Sequence, residues 1–145
     1  MRQMQTKLLI VDDEASIRDS LSSIFGQRGL QVCSSADALL ALEEIGREAP
    51  DILLSDLNMP GMSGFELLSK VRRHFPGIYV IAMSASYLGN EVPPGVPADA
   101  FYAKARSSPS LLVHMVDHVL TLQRRMGPAR SSLAHTKSPV AAERA

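Results

Sequence analysis

The sequence predicts an α/β protein: a doubly wound, five-stranded parallel sheet with helices on both faces. Three observations support this. Short apolar runs alternate with amphipathic stretches along most of the chain, which is the pattern of repeated strand and helix units. The run DILLSD is apolar almost without a break, as suits a strand buried on both faces. Finally, acids close two of the runs, KLLIVDD and DILLSD, so a parallel sheet would bring Asp12, Asp13 and Asp56 to one carboxyl edge.

The elements follow in order. KLLIVDD (Lys7 to Asp13) reads as the first strand. In EASIRDSLSSIFGQRG, Ile17, Leu21, Ile24 and Phe25 recur at helical spacing, and Gly29 supplies the stop. LQVCSS is the second strand; Asp37 to Arg47 is a helix expected to bury Leu39, Leu40, Leu42 and Ile45. Pro50 ends the connection to DILLSD, and a third helix from Phe65 to about Phe75 is closed by Pro76 and Gly77. IYVIAMSA is the fourth strand and DAFYAK a short fifth. Before the last helix Ser108 can cap, and Pro109 suits the first helical position. Leu112, Val113, Val116, Val119 and Leu120 form its stripe. Gly127 and Pro128 predict that it fades near Arg125, which divides the chain into a folded unit, 1–125, and a disordered tail, 126–145.

One connection departs from the repeat. Between Ser84 and Phe101, Pro93, Pro94 and Pro97 forbid a regular helix through the second half, leaving at most two turns over 86–92. The fourth crossover helix is therefore expected to be short, irregular or missing.

Composition narrows the function classes. With 145 residues, 46% of them hydrophobic, the chain suits one domain with a real core and leaves no room for a second. The 15 basic and 15 acidic residues balance, which argues against whole-chain attraction to nucleic acid or an anionic membrane. From Gln123 onward five basic residues meet one acid, so that segment carries a formal +4 and the preceding residues −4. The single cysteine, Cys33, lies in a strand-like run and reads as an inert, small hydrophobe. No segment has the roughly 20 apolar residues of a membrane span and the start of the chain lacks a signal peptide, so a soluble cytoplasmic protein without a membrane partner is expected.

Three carboxylates at one edge repel each other unless a divalent cation sits among them, which points to Mg²⁺ and to chemistry on a phosphate. Asp56 taken alone favours the reading of a turn aspartate, and Asp13 could equally cap the helix starting near Glu14; capping accounts for one of the paired acids but not for both. Phosphatases with an aspartate nucleophile of the haloacid dehalogenase type need a second acid two residues on, where this chain has Asn58. A nucleotide-binding protein needs a glycine-rich loop after its first strand, and VDDEAS has no glycine.

The segments LLIVDDE, LLSDLNMPGMSGFELL, VIAMSAS and ADAFYAK occur in the order and at close to the spacing of the receiver domain of bacterial response regulators. The chain resembles that family from roughly Lys7 to Leu122. The resemblance implies a flavodoxin-like strand order, 2-1-3-4-5, and Asp56 as phosphoacceptor. It implies that Mg²⁺ is held by Asp12, Asp13, Asp56 and the backbone carbonyl of Asn58. Lys104 then contacts the phosphoryl oxygens, Ser84 hydrogen-bonds them, and Phe101 is the switch aromatic that turns inward, with Tyr102 on the opposite face. Family members follow the lysine with a cis proline; here Ala105 stands in that place, and the loop is expected to be trans or displaced.

The function this implies is a stand-alone phosphoacceptor in a two-component phosphorelay. A histidine kinase or histidine phosphotransfer protein is the donor, an unspecified protein is the target, and no DNA-binding domain or separate enzymatic turnover is expected. The alternative is a degenerate receiver that binds partners without being phosphorylated.

Overall fold

The computed structural model describes residues 5–87, 89, 91–105 and 107–139, with side chains through 124. In chain order the elements are β1 (Lys7–Val11), α1 (Ala15–Gln27), β2 (Gln31–Ser35), α2 (Ala38–Arg47), β3 (Ile52–Asp56), α3 (Gly64–His74), β4 (Tyr79–Ser84), β5 (Ala100–Ala103) and α4 (Pro109–Pro139). The five strands form one parallel sheet in the order β2-β1-β3-β4-β5, as expected.

Alternation along the buried strands divides the core between two faces. Leu9, Val11, Leu53, Val80, Ala82 and Phe101 point to the side covered by α2 and α3, where Ala41, Ile45, Leu67, Leu68 and Val71 meet them. Leu8, Ile10, Ile52, Leu54, Ile81, Met83 and Tyr102 point to the other side, against Leu21 and Phe25 of α1 and Leu112, Val116 and Val119 of α4. The register pairs Val11 with Ser55, Asp56 with Met83, and Ser84 with Ala103. The residues just beyond these ends therefore share one edge.

The helix boundaries have local causes. Asp37 caps α2 by accepting the Leu40 N–H at 2.9 Å. Ser63 and Glu66 form a reciprocal capping box at the start of α3, and Arg72, Arg73 and His74 complement the dipole at its end. Gly29 leaves α1 at φ +89°, in the left-handed region that disfavours side chains.

Three expectations are corrected or bounded. Leu39 and Leu40 are not on the buried side of α2: they are 62% and 49% exposed, because Ala38, Ala41 and Ile45 set the phase of the buried stripe and Leu42 sits at its margin. The last helix does not fade near Arg125. The backbone stays helical to Pro139, past Gly127 and Pro128, and good helix formers such as Ala129, Leu133 and Ala134 follow that pair. The remainder of the expected tail, 140–145, lies outside the described residues. Between Ser84 and Ala100 the described residues form bends and turns and no helix, as the prolines predict; positions 88 and 90 of the possible short turn lie outside the described residues.

At the opposite, amino edge lies a feature that the sequence does not signal. Lys7 is buried at 3% exposure, and its ammonium donates to Glu44 at 2.6 Å and to the Glu48 carbonyl at 2.8 Å. Burial opposes the charge, but these partners outweigh it and raise the Lys7 pKa. Nearby Cys33 is half-buried against the core, and burial pushes its thiol up, away from reactivity.

Candidate functional site at the carboxyl edge of the sheet

Asp12 follows β1 directly and is fully buried; Asp56 ends β3 at 4% exposure. Their neighbour Asp13 is exposed. One carboxylate oxygen from each of Asp12, Asp13 and Asp56 lies within 4.8 Å of the others, close enough for one cation to touch all three. These hard oxygen donors, two on the loop after β1 and one at the end of β3, are the ligand type Mg²⁺ takes. The helix-cap reading of Asp13 does not hold: Glu14 is the N-cap of α1 and no side chain caps it, while Asp12 accepts the Glu14 N–H at 3.0 Å.

Lys104, one residue past β5, reaches back across the edge. Its ammonium donates to Asp12 Oδ2 at 2.9 Å and to Asp56 Oδ2 at 3.3 Å. Burial works against this charge, yet the hydrogen bond to Asp12 and the charge of Asp56 outweigh it and raise the Lys104 pKa, so it stays an ammonium. Burial pushes the Asp56 carboxyl up; the Asn58 N–H, donating to Oδ1 at 3.1 Å, and Lys104 oppose this in part, while Asp12 adds to it. A desolvated carboxylate beside one cation and two further acids is poised for a cationic partner.

Ser84 ends β4 at 2% exposure, near the same edge. Its hydroxyl donates to Asn58 Oδ1 at 2.8 Å, so in this structure its partner is the Asn58 carboxamide. Phe101 is 6% exposed and packs into the α2/α3 side of the core, with the Tyr87 ring edge-on at 5.3 Å. Tyr102 faces the other side, as expected, and donates its hydroxyl to the Ser107 carbonyl at 3.1 Å. The peptide between Lys104 and Ala105 is trans.

The contacts of three supporting residues were not read from the sequence. Gly64 packs its Cα on the Asp56–Leu57 backbone, where an added Cβ would stand 2.3 Å from the Asp56 carbonyl oxygen. The Gly that closes the DLNMPGMSG loop was the available signal. Arg18, one turn into α1, donates to the Asp12 carbonyl at 2.8 Å and braces that strand end. Ser86, two residues after Ser84, bonds both Ser84 and Asn58. No local pattern marks either of these last two contacts.

Among the described residues no helix is long and apolar enough to cross a membrane. The family model for "Response regulator receiver domain" matches residues 8–101. Sporulation initiation phosphotransferase F of Bacillus subtilis is 40% identical over 82 residues, 57% of this chain and 66% of that protein. A protein-glutamate methylesterase/protein-glutamine glutaminase of Anaeromyxobacter dehalogenans is 36% identical over 61% of this chain but only 26% of its own length. The chain thus spans less than two thirds of these curated relatives. Among solved structures, a CheY-like response regulator receiver domain protein of Methanospirillum hungatei superposes with a TM-score of 0.76 at 28% identity. It covers 86% of this chain and all of its own. Chemotaxis response regulator CheY4 of Vibrio cholerae matches with a TM-score of 0.69 and 28% identity over 80% of this chain and 99% of its own. With the fold, the strand-end acids and the family match in agreement, the chain belongs to the response regulator receiver domain family, the phosphoacceptor signalling domains of two-component phosphorelays.

Proposed function

We propose that Asp56 takes a phosphoryl group from the phosphohistidine of a histidine kinase or histidine phosphotransfer protein, and that the resulting aspartyl phosphate signals to a partner protein. The observation that carries this is the buried Asp56 carboxylate set between Asp12, Asp13 and Lys104. In the transfer, an Asp56 carboxylate oxygen attacks phosphorus in line, the P–O bond forms as the P–N bond breaks, and the imidazole leaves.

Asp12, Asp13, Asp56 and the backbone carbonyl of Asn58 would hold Mg²⁺, which when bound supplies positive charge to the phosphoryl oxygens. The Lys104 ammonium, kept protonated by its acid partners, offers a second fixed charge to the same oxygens without reorganising at the moment of transfer. Arg18 braces the end of β1 and Gly64 bears on the end of β3. Ser84 then reports the new charge, and Phe101, already packed in the core beside Tyr87, couples the report to the β4–β5 surface. Formation and loss of the phosphoryl group on its own aspartate is the only turnover in this reading. The reading sets the receiver within 1–125, with 126–145 as an appendage outside the phosphoacceptor chemistry, and places the chain with its donor in the cytoplasm.

Incubation with acetyl phosphate and Mg²⁺, followed by intact-mass measurement, tests this. A single phosphoryl adduct is expected on wild type, with none on Asp56→Asn and none when the metal is chelated. An unmodified wild type beside a control receiver that is labelled overturns the reading.

A further inference from the structure

The last helix carries a pair of imidazoles that the chemistry at the sheet edge does not use. His114 and His118 are both exposed and stand four residues apart in α4. That spacing brings two side chains to the same face of a helix, with about 5–6 Å between their Cβ atoms. In the same helix Leu112, Val116 and Val119 are buried against the sheet. At about 3.6 residues per turn, His114 and His118 fall on the side of α4 turned away from those three. Packing of the buried stripe fixes the helix before any ligand arrives, so a cation that bridges the two imidazoles does not have to order the backbone.

We infer that His114 and His118 form a two-imidazole site for a transition-metal dication of the Cu²⁺, Ni²⁺ and Zn²⁺ class. Imidazole nitrogen is the commonest protein ligand of such ions, and two histidines four apart on one helix face are a chelating arrangement. The second nitrogen joins intramolecularly once the first has bound, which strengthens the hold beyond that of a single histidine. Among these ions Cu²⁺ is expected to bind most tightly, whereas Mg²⁺, which takes hard oxygen ligands, does not compete. Among the described residues the one group of three or more His, Cys, Asp or Glu able to share an ion is the acidic cluster at the carboxyl edge. The α4 site therefore supplies two protein ligands, and water completes the coordination. The molecule then has two cation sites of opposite character, oxygen at the sheet edge and nitrogen on α4. The inference stands apart from the phosphoacceptor reading of Asp56.

The test is titration of the full chain with Cu²⁺ at saturating Mg²⁺, read by electron paramagnetic resonance and by competition with a coloured chelator. Wild type is expected to hold a Cu²⁺ ion whose spectrum shows coupling to two nitrogens. His114→Ala and His118→Ala, both at exposed positions, are each expected to weaken that binding about tenfold and to reduce the coupling to one nitrogen. His74→Gln, at the end of α3, and Asp56→Asn are expected to keep the two-nitrogen signal. Wild-type affinity with an unchanged spectrum in either alanine variant overturns the site. A wild-type spectrum without nitrogen coupling overturns it as well, and neither result touches the labelling of Asp56.

Discussion

Gly64 is packed against Asp56 so closely that a Cβ on the glycine would lie 2.3 Å from the aspartate's carbonyl oxygen and 2.5 Å from the next Cα. Both obstacles are backbone, so neither can rotate aside. The start of α3 is thereby pressed onto the loop that presents the candidate nucleophile, and the Gly64 N–H donates to the Leu57 carbonyl at 3.3 Å. Replacing Gly64 by alanine forces α3 and this loop apart. Overpacking of this kind costs about 1–3 kcal/mol. Denaturant unfolding is expected to show that loss, and acetyl phosphate labelling of Asp56 is expected to fall with it. A Gly64→Ala variant as stable and as readily labelled as wild type would remove this contact from the account.

The raised pKa of Asp56 makes a signed prediction about pH. Its folded-state carboxyl binds protons more readily than its unfolded one, because burial and Asp12 disfavour the charge. Between the two values the native state holds the extra proton, so this group's contribution to stability falls as pH rises through that window, and the ionised form carries a penalty at neutral pH. Asp56→Asn is expected to melt above wild type at pH 7 without metal, with the gap closing as pH falls through the raised folded value toward the ordinary 3.8. Mg²⁺ is expected to raise the melting temperature of wild type far more than that of the variant, since only a ligand-bound native state gains from mass action. Thermal melts with and without the metal measure both effects.

Lys104 is the one described cation paired with the carboxylates of Asp12 and Asp56, and its ammonium is held between them. Lys104→Met leaves two buried carboxylates without that partner. The expected loss is about 2–4 kcal/mol in chelator, less in Mg²⁺, where the metal takes over part of the neutralisation. For wild type the sign is that of a raised lysine. The pair's contribution is complete below the ordinary lysine pKa of 10.5 and is lost as pH rises through the higher folded value. Urea titrations of both proteins, in chelator and in Mg²⁺, check the difference.

The ion pair at the amino edge separates stability from signalling. Lys7 is buried and donates to Glu44 and to the Glu48 carbonyl, on the side of the sheet away from Asp56. Lys7→Met takes away the buried partner of Glu44, leaving it Arg47, and is expected to cost about 2–3 kcal/mol. Labelling of Asp56 in the folded variant is expected to match wild type. Reduced labelling at full folding would connect the two edges and contradict this division.

Much of this was legible from residue order. DILLSD reads as a doubly buried strand because its apolar run has no polar interruption, and Ile52 to Leu54 are indeed inaccessible. Pro93, Pro94 and Pro97 remove the fourth crossover helix because each lacks an N–H and clashes with the preceding turn. The face of α2 was misjudged for a related reason. ALLALEEIGR offers leucines on more than one side, and hydrophobicity alone does not say that the small Ala38 and Ala41 allow the close approach to the sheet. The end of α4 was likewise set too early, since Gly127 and Pro128 lower helix propensity without forbidding the turns beyond them.

By itself, the sequence determined the sheet, its winding and the acids at its carboxyl edge, because strand alternation, turn chemistry and proline geometry act over a few neighbouring residues. Only the tertiary structure decided that Lys104 bridges Asp12 and Asp56, that Gly64 bears on the Asp56 loop, that Ser84 gives its proton to Asn58, and that Lys7 is buried. Those contacts join segments up to 92 residues apart. Their ångström-scale distances are set by how the packed faces seat on the sheet, which no local pattern encodes.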